Sequence, residues 1–240
     1  MTNVADNIAK VKKRIGVAAT SAGRDPDEVT LVAITKSFPA SVIAEAWDAG
    51  LRDFGENRVQ EAESKVAWTR GVGIDLTWHM VGHLQRNKVK KAIELFDMVQ
   101  SVDSVRLAQE LSRRCGAAGT SMPILLEVNV SEEPSKYGFT ASQRDDEQAV
   151  RFVKAVEQII ALPNLEPLGL MTVGPLGAGE EALRSCFARL RVLRERLREE
   201  FSLREWPHLS MGMTDDFELA ITEGATIVRI GRAIFGDRRD

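Results

Sequence analysis

Eight short apolar runs, each followed by a longer segment of mixed polarity, divide residues 29–231, and that alternation constrains the fold of this chain more than any other feature. The runs are VTLVAIT (29–35), LRDFG (51–55), LTWHMVG (76–82), MVQSV (98–102), PILLEVNV (123–130), LEPLGLMT (165–172), HLSMG (208–212) and TIVRIG (226–231). Several are nearly continuous in Val, Ile and Leu, as parallel strands covered on both faces must be. LRDFG and HLSMG are weak alone and take their reading from the rhythm around them. Eight strand–helix repeats in about 200 residues predict a closed α/β barrel of the (β/α)8 TIM type.

The rival is an open doubly wound sheet, which normally carries a glycine-rich turn after its first strand. Here that place reads TKSFPAS. No low-complexity linker or shift in composition marks a second domain, so residues 1–240 read as one barrel domain. Residues 1–23 supply an extra N-terminal helix, in which Val4, Ile8, Val11 and Ile15 recur at helical spacing to pack on the barrel.

Charge and cysteine content exclude several classes. A net charge of −3 gives no general attraction to nucleic acid or to anionic membrane. Cys115 and Cys186 form neither a disulfide framework nor a metal-type spacing, which suits a reduced cytoplasmic setting. No apolar run is long enough to span a bilayer, and a soluble protein is expected. In the segment 180–201, Leu183, Phe187, Leu190, Leu197 and Phe201 share one face. Arg184, Arg191, Arg194 and Arg198 lie opposite, with Glu195, Glu199 and Glu200 to balance them. That pattern reads as a solvated face, not a nucleic-acid stripe.

In a barrel of this type, ligands sit at the C-terminal ends of the strands, and the loops after the last two strands commonly hold phosphate. Lys36 lies at the end of the first run. A lysine there either marks where a strand meets solvent or acts as a Schiff-base nucleophile with a depressed pKa. In SMGMTDD, Ser210 offers a hydroxyl, Gly212 permits close backbone approach, and Thr214 is placed to cap the next helix. Gly231 and Arg232 follow the eighth run, and Arg229 shares the inward face of Gly231, where a buried arginine needs a partner. Further polar residues stand at strand ends: Glu56, Asn57 and Arg58; Gln85, Asn87 and Lys88; Asn129, Ser131 and Lys136; and Thr172. His79 and His83 are four residues apart, but on a strand that separation is about 13 Å, so they do not read as a zinc pair.

Taken in order, AITK ending at Lys36, FGENRVQE, WHMVGHLQRNK, VNVSEEPSKYGF, GLMT and SMGMTDDFELAITEGATIVRIGRAIFG resemble the pyridoxal phosphate homeostasis protein family. Its members are barrels related to the N-terminal domain of alanine racemase, and the resemblance covers essentially the whole chain. It implies that Lys36 carries pyridoxal 5'-phosphate as a Schiff base, and that Ser210 and the amides around Gly231 and Arg232 hold the phosphate. It also implies that Arg229 faces the pyridine nitrogen and that Asn57 lies near the cofactor. Ser37–Phe38–Pro39 departs from the tripeptide of many members, at the rim of the pocket.

The resemblance further implies storage, protection and delivery of the cofactor by a monomer, with transient contact to the enzymes that receive it as one expected route. Racemases of this fold add a β-domain that contributes catalytic groups across a dimer, and Tyr137 is the sole tyrosine here. An arginine at the pyridine nitrogen weakens the electron sink that carbanion chemistry needs. The alternatives are a low-activity racemase or lyase using the same lysine, and a cofactor-independent phosphate-binding isomerase with Lys36 as an ordinary base.

Overall fold

The computed structural model describes residues 3–131, 133, 136–141, 147–202 and 205–237. Each of the eight runs forms a strand: β1 (Thr30–Ile34), β2 (Asp53–Glu56), β3 (Thr77–Met80), β4 (Met98–Val102), β5 (Met122–Asn129), β7 (Leu165–Met171), β8 (His208–Ser210) and β9 (Ile227–Ile230). All neighbouring pairs are parallel, and β9 pairs with β1, so the sheet closes on itself. The two-residue strand β6 (Phe139–Thr140) lies outside this ring and pairs with the end of β5 through Val128 and Phe139. The runs give no hint of it.

The helices are α1 (Val4–Ser21), α2 (Ser41–Asp48), α3 (Val59–Gly71), α4 (Val89–Leu95), α5 (Val105–Ala118), α6 (Glu147–Ile160), α7 (Glu180–Glu200), α8 (Phe217–Thr222) and α9 (Arg232–Phe235). Their ends follow local chemistry. The Asn3 side chain accepts from Asp6 N–H to start α1, and Ser104 accepts from Leu107 N–H to start α5. Gly50, at φ +85°, turns the chain out of α2. Thr214 does not cap α8. Asp216 holds the cap position, with its carboxylate accepting from Met213 N–H at 2.5 Å, and Thr214 reaches α9 by accepting from Ala233 N–H.

The weak runs are strands because both neighbours are in place. β2 is fixed by Ala33 opposite Phe54 on one side and Phe54 opposite Trp78 on the other. β8 approaches β7 so closely that a Cβ on Gly169 would stand 2.0 Å from the His208 carbonyl oxygen, so only glycine fits there.

Alternation along the strands splits the apolar core in two. Leu31 and Ala33 of β1 join the large cluster between sheet and helices. Val32, Ile34, Leu125, Met171 and Ile227 form a separate cluster that, coming from β1, β5, β7 and β9, meets inside the ring. α1 buries Val4, Ile8, Val11 and Ile15, and packs on α8, α9 and α2. The arginines of α7 pair with carboxylates: Arg184 with Glu180, Arg191 with Glu223, and Arg198 with Glu195. Cys115 and Cys186 are buried free thiols. Among the described residues, no helix is long and apolar enough to cross a membrane.

Candidate functional site

Val32 and Ile34 face the barrel interior, so the same two-residue period carries Lys36 toward the mouth. The strand has ended there, and Ser37 takes φ +66°. That left-handed conformation costs a non-glycine residue about 1–3 kcal/mol and persists only where its surroundings determine it. Lys36 lines a cleft of about 550 Å³ with Ile34, Phe38, Met213, Thr214 and Arg229, and with Gly231 and Arg232 at the start of α9. Phe38 and Phe235 pack ring to ring, 5.3 Å between centroids, joining the loop after β1 to α9. A Cβ on Gly231 would come within 3.1 Å of the Ile34 carbonyl oxygen. The glycine thus lets the end of β9 lie against the end of β1.

Arg229 is buried beneath this cleft. Its Nη1 donates to Ser210 Oγ at 2.6 Å and its Nη2 to the Thr172 carbonyl at 2.7 Å. Burial pulls the guanidinium down to about 10, and the nearby charges of Glu127 and Asp216 oppose that shift. Glu127, inward on β5, is pushed up to about 7 by burial and by Asp103, against the pull of Arg229. Its Oε2 is buried with no hydrogen-bond partner among the described residues.

Ser210 is fully buried and engaged on both sides. It accepts from Arg229 and donates to Gln100 Oε1 at 2.6 Å, across the barrel from β8 to β4. The Gln100 amide then donates to His79 Nδ1 at 3.0 Å, which puts the imidazole proton on Nε2, facing Asp53 Oδ1 at 3.0 Å. Every donor in this chain points from Arg229 toward Asp53, so it runs from the mouth of the barrel to its floor. Gln100 and His79 were not singled out as site residues in the sequence; the polar pair Gln100–Ser101 inside the apolar run MVQSV was the available signal.

Four of the expected residues, Lys36, Arg229, Gly231 and Arg232, therefore share one cleft. Ser210 lies below it, behind Arg229. Asn57 opens into a second cavity of about 780 Å³, lined also by Gln60, His83, Gln85, Lys88 and Tyr137. His83 stacks on Tyr137 at 3.8 Å and bonds Asp103, while His79 stays in the barrel core. Arg232 is exposed and grips both oxygens of Asp215, which holds its guanidinium above its usual range. Asn129, Ser131 and Lys136 staple the loop after β5, Lys136 donating to the carbonyls of Val173 and Gly174. Residues 132, 134 and 135 of that motif lie outside the described residues.

The cleft thus offers a primary amine at one side, a buried cation below and an exposed cation with a tight glycine turn at the other side. That donor set suits a ligand with an electrophilic carbon and an anionic tail.

The family model described as "Alanine racemase, N-terminal domain" matches residues 3–239. The pyridoxal phosphate homeostasis protein of Pseudomonas aeruginosa is 45% identical over 238 residues, covering 99% of this chain and 97% of that protein. The protein of the same name from Aquifex aeolicus is 39% identical, covering 99% of each chain. Among solved structures, PipY of Synechococcus elongatus with pyridoxal phosphate bound superposes with a TM-score of 0.83 at 36% identity, over 97% of this chain and all of that one. Alanine racemase of Clostridium difficile shares the fold at a TM-score of 0.74 and 14% identity, this chain spanning 57% of its length. A barrel matched from end to end by such relatives, with its lysine, arginine and glycine turn gathered in one cleft, belongs to the alanine racemase N-terminal domain family and, within it, to the pyridoxal phosphate homeostasis proteins.

Proposed function

We propose that this chain binds pyridoxal 5'-phosphate through Lys36 and serves to store, protect and hand over the cofactor. The observation that carries the reading is the meeting of Lys36 with Arg229, Gly231 and Arg232 in one cleft. When bound, the cofactor supplies an aldehyde that condenses with a primary amine. The residues of the chain then divide the work. Lys36 provides the amine, which lines the cleft together with Arg229 and Arg232. Arg232 and the turn at Gly231 hold the phosphate, with Ser210 as a hydroxyl partner once its bond to Gln100 is exchanged. Arg229, too basic to lose its proton, donates to the ring nitrogen and keeps a second proton away from it. Asn57 opens into the separate second cavity and takes no part in this cleft.

The reading as a carrier rests on Arg229 and on the position of Tyr137. This tyrosine stacks on His83 in the Asn57 cavity, whereas a racemase needs proton donors on both faces of the cofactor at the lysine. The chain acts as a monomeric barrel domain in the cytoplasm, and delivery proceeds by transient contact with receiving enzymes. Loaded protein incubated with L-amino acids in heavy water tests this directly. The α-proton should exchange far more slowly than enzymes turn over, whose median kcat is roughly 10 per second. Exchange near that rate would replace the carrier with a racemase or lyase.

A further inference from the structure

The residues on either side of Lys36 are held from outside the barrel by one face of α3. Lys65 Nζ donates to the Thr35 carbonyl at 2.6 Å and to Glu56 Oε1 at 2.5 Å. The Thr35 hydroxyl donates to the same Glu56 oxygen at 2.5 Å. One turn earlier on the helix, Glu61 Oε2 accepts the N–H of Ser37 at 3.3 Å. Thr35 and Glu56 are fully buried, and Lys65 is 6% exposed.

A buried ion pair is weak evidence for stability, since apolar residues of similar size often do as well. This one also leaves Glu56 Oε2 buried with no hydrogen-bond partner among the described residues, an imperfection that selection for packing alone would remove. What the arrangement does achieve is geometric. It fixes the carbonyl before Lys36 and the amide after it, and so holds Ser37 in its left-handed conformation.

We propose that Lys65, Glu56 and Glu61 are positioning residues that aim the Lys36 amine at the ligand carbon. This rests on the function proposed above. In the step they serve, the Lys36 nitrogen forms a double bond to the aldehyde carbon, and both amine protons leave with the carbonyl oxygen as water. None of the three lines the cleft of Lys36, so the clamp governs the rate of attachment and leaves non-covalent affinity alone.

The test compares wild type with Lys65→Met, Glu56→Gln/Lys65→Met (which removes both charges together), Glu61→Ala and Lys65→Arg. Attachment of pyridoxal phosphate is followed by stopped-flow absorbance, and the adduct is mapped after borohydride reduction. Pyridoxine phosphate, which has an alcohol in place of the aldehyde, reports non-covalent affinity by fluorescence titration. Losing the clamp should slow attachment about tenfold or more, as small misplacements of reacting groups do. Affinity for pyridoxine phosphate should stay within about twofold of wild type, Lys65→Arg should recover much of the rate, and Glu61→Ala should be slowed. Attachment at the wild-type rate, or a rate and an affinity that fall together, would overturn the clamp. If the Lys65 variants fail to fold, Glu61→Ala decides alone, and a wild-type rate there overturns the proposal. A wild-type chain with no adduct at Lys36 overturns the functional reading itself, and the clamp with it.

Discussion

Val32 and Arg229 are register partners across the seam where the last strand of the barrel meets the first. Lys36 lies four residues beyond one and Gly231 two residues beyond the other, so both project from the same end of the same seam. The cleft is a consequence of ring closure: residues about 190 positions apart in sequence become neighbours because β9 has β1 to pair with.

Lys36→Ala should abolish covalent attachment of pyridoxal phosphate and leave the melting temperature within a few degrees of wild type. Lys36 is half-buried at the mouth and contributes little to either apolar cluster. Absorbance of the attached cofactor, with peptide mapping after borohydride reduction, checks the claim. An adduct found instead on Lys88 or Lys136 would refute the assignment.

Asp215→Asn should tighten binding of the phosphorylated cofactor several-fold. The Asp215 carboxylate occupies the guanidinium of Arg232, and an incoming phosphate has to compete with it. Both side chains are exposed, so the gain is modest and shrinks with salt. Titrations of pyridoxal phosphate and of unphosphorylated pyridoxal at two ionic strengths read this out. The effect should be confined to the phosphate form.

Arg229→Met should destabilise the fold by roughly 2–4 kcal/mol, because it strips partners from the buried Ser210 hydroxyl and the Thr172 carbonyl. Chemical denaturation measures the loss. Ser210→Ala, which removes one hydroxyl and leaves the guanidinium in place, should cost less.

Glu127 makes stability depend on pH. Its folded carboxyl titrates at about 7, above the ordinary value of 4.5, so the folded state holds the proton more tightly than the unfolded state. The stabilising contribution is complete below pH 4.5 and is lost as pH rises through 7. Glu127→Gln should flatten that part of the profile by up to about 3 kcal/mol. Urea melts of both proteins between pH 5 and pH 8 test the slope.

Much of this barrel is legible in the order of its apolar runs, including LRDFG and HLSMG, whose strand character comes from their neighbours and not from their own residues. That Lys36, Arg229 and Gly231 share one cleft was equally legible, because a strand's period fixes which face its ends present, whereas Arg232 begins α9 and owes its place to the turn at Gly231. Ser210 was readable as a hydroxyl at a strand end, but its partner Gln100 is 110 residues away and on the opposite wall. A glutamine inside an apolar run has no meaning until the ring brings that wall across. Thr214 illustrates a different limit. The helix α8 begins two residues later than a cap at Thr214 requires, with Asp216 at the cap position, and the Thr214 hydroxyl instead accepts from Ala233 N–H of α9.

The seam between β9 and β1 also sets when the site can exist. A ribosome makes Lys36 early and Arg232 late, and domains generally organise as the chain emerges. Until β9 is in place, β1 lacks its second partner and the cleft around Lys36 lacks the wall that carries Arg229 and Gly231. The cleft that gathers Lys36 and Arg229 is therefore a late product of folding, formed only when the two ends of the ring have met.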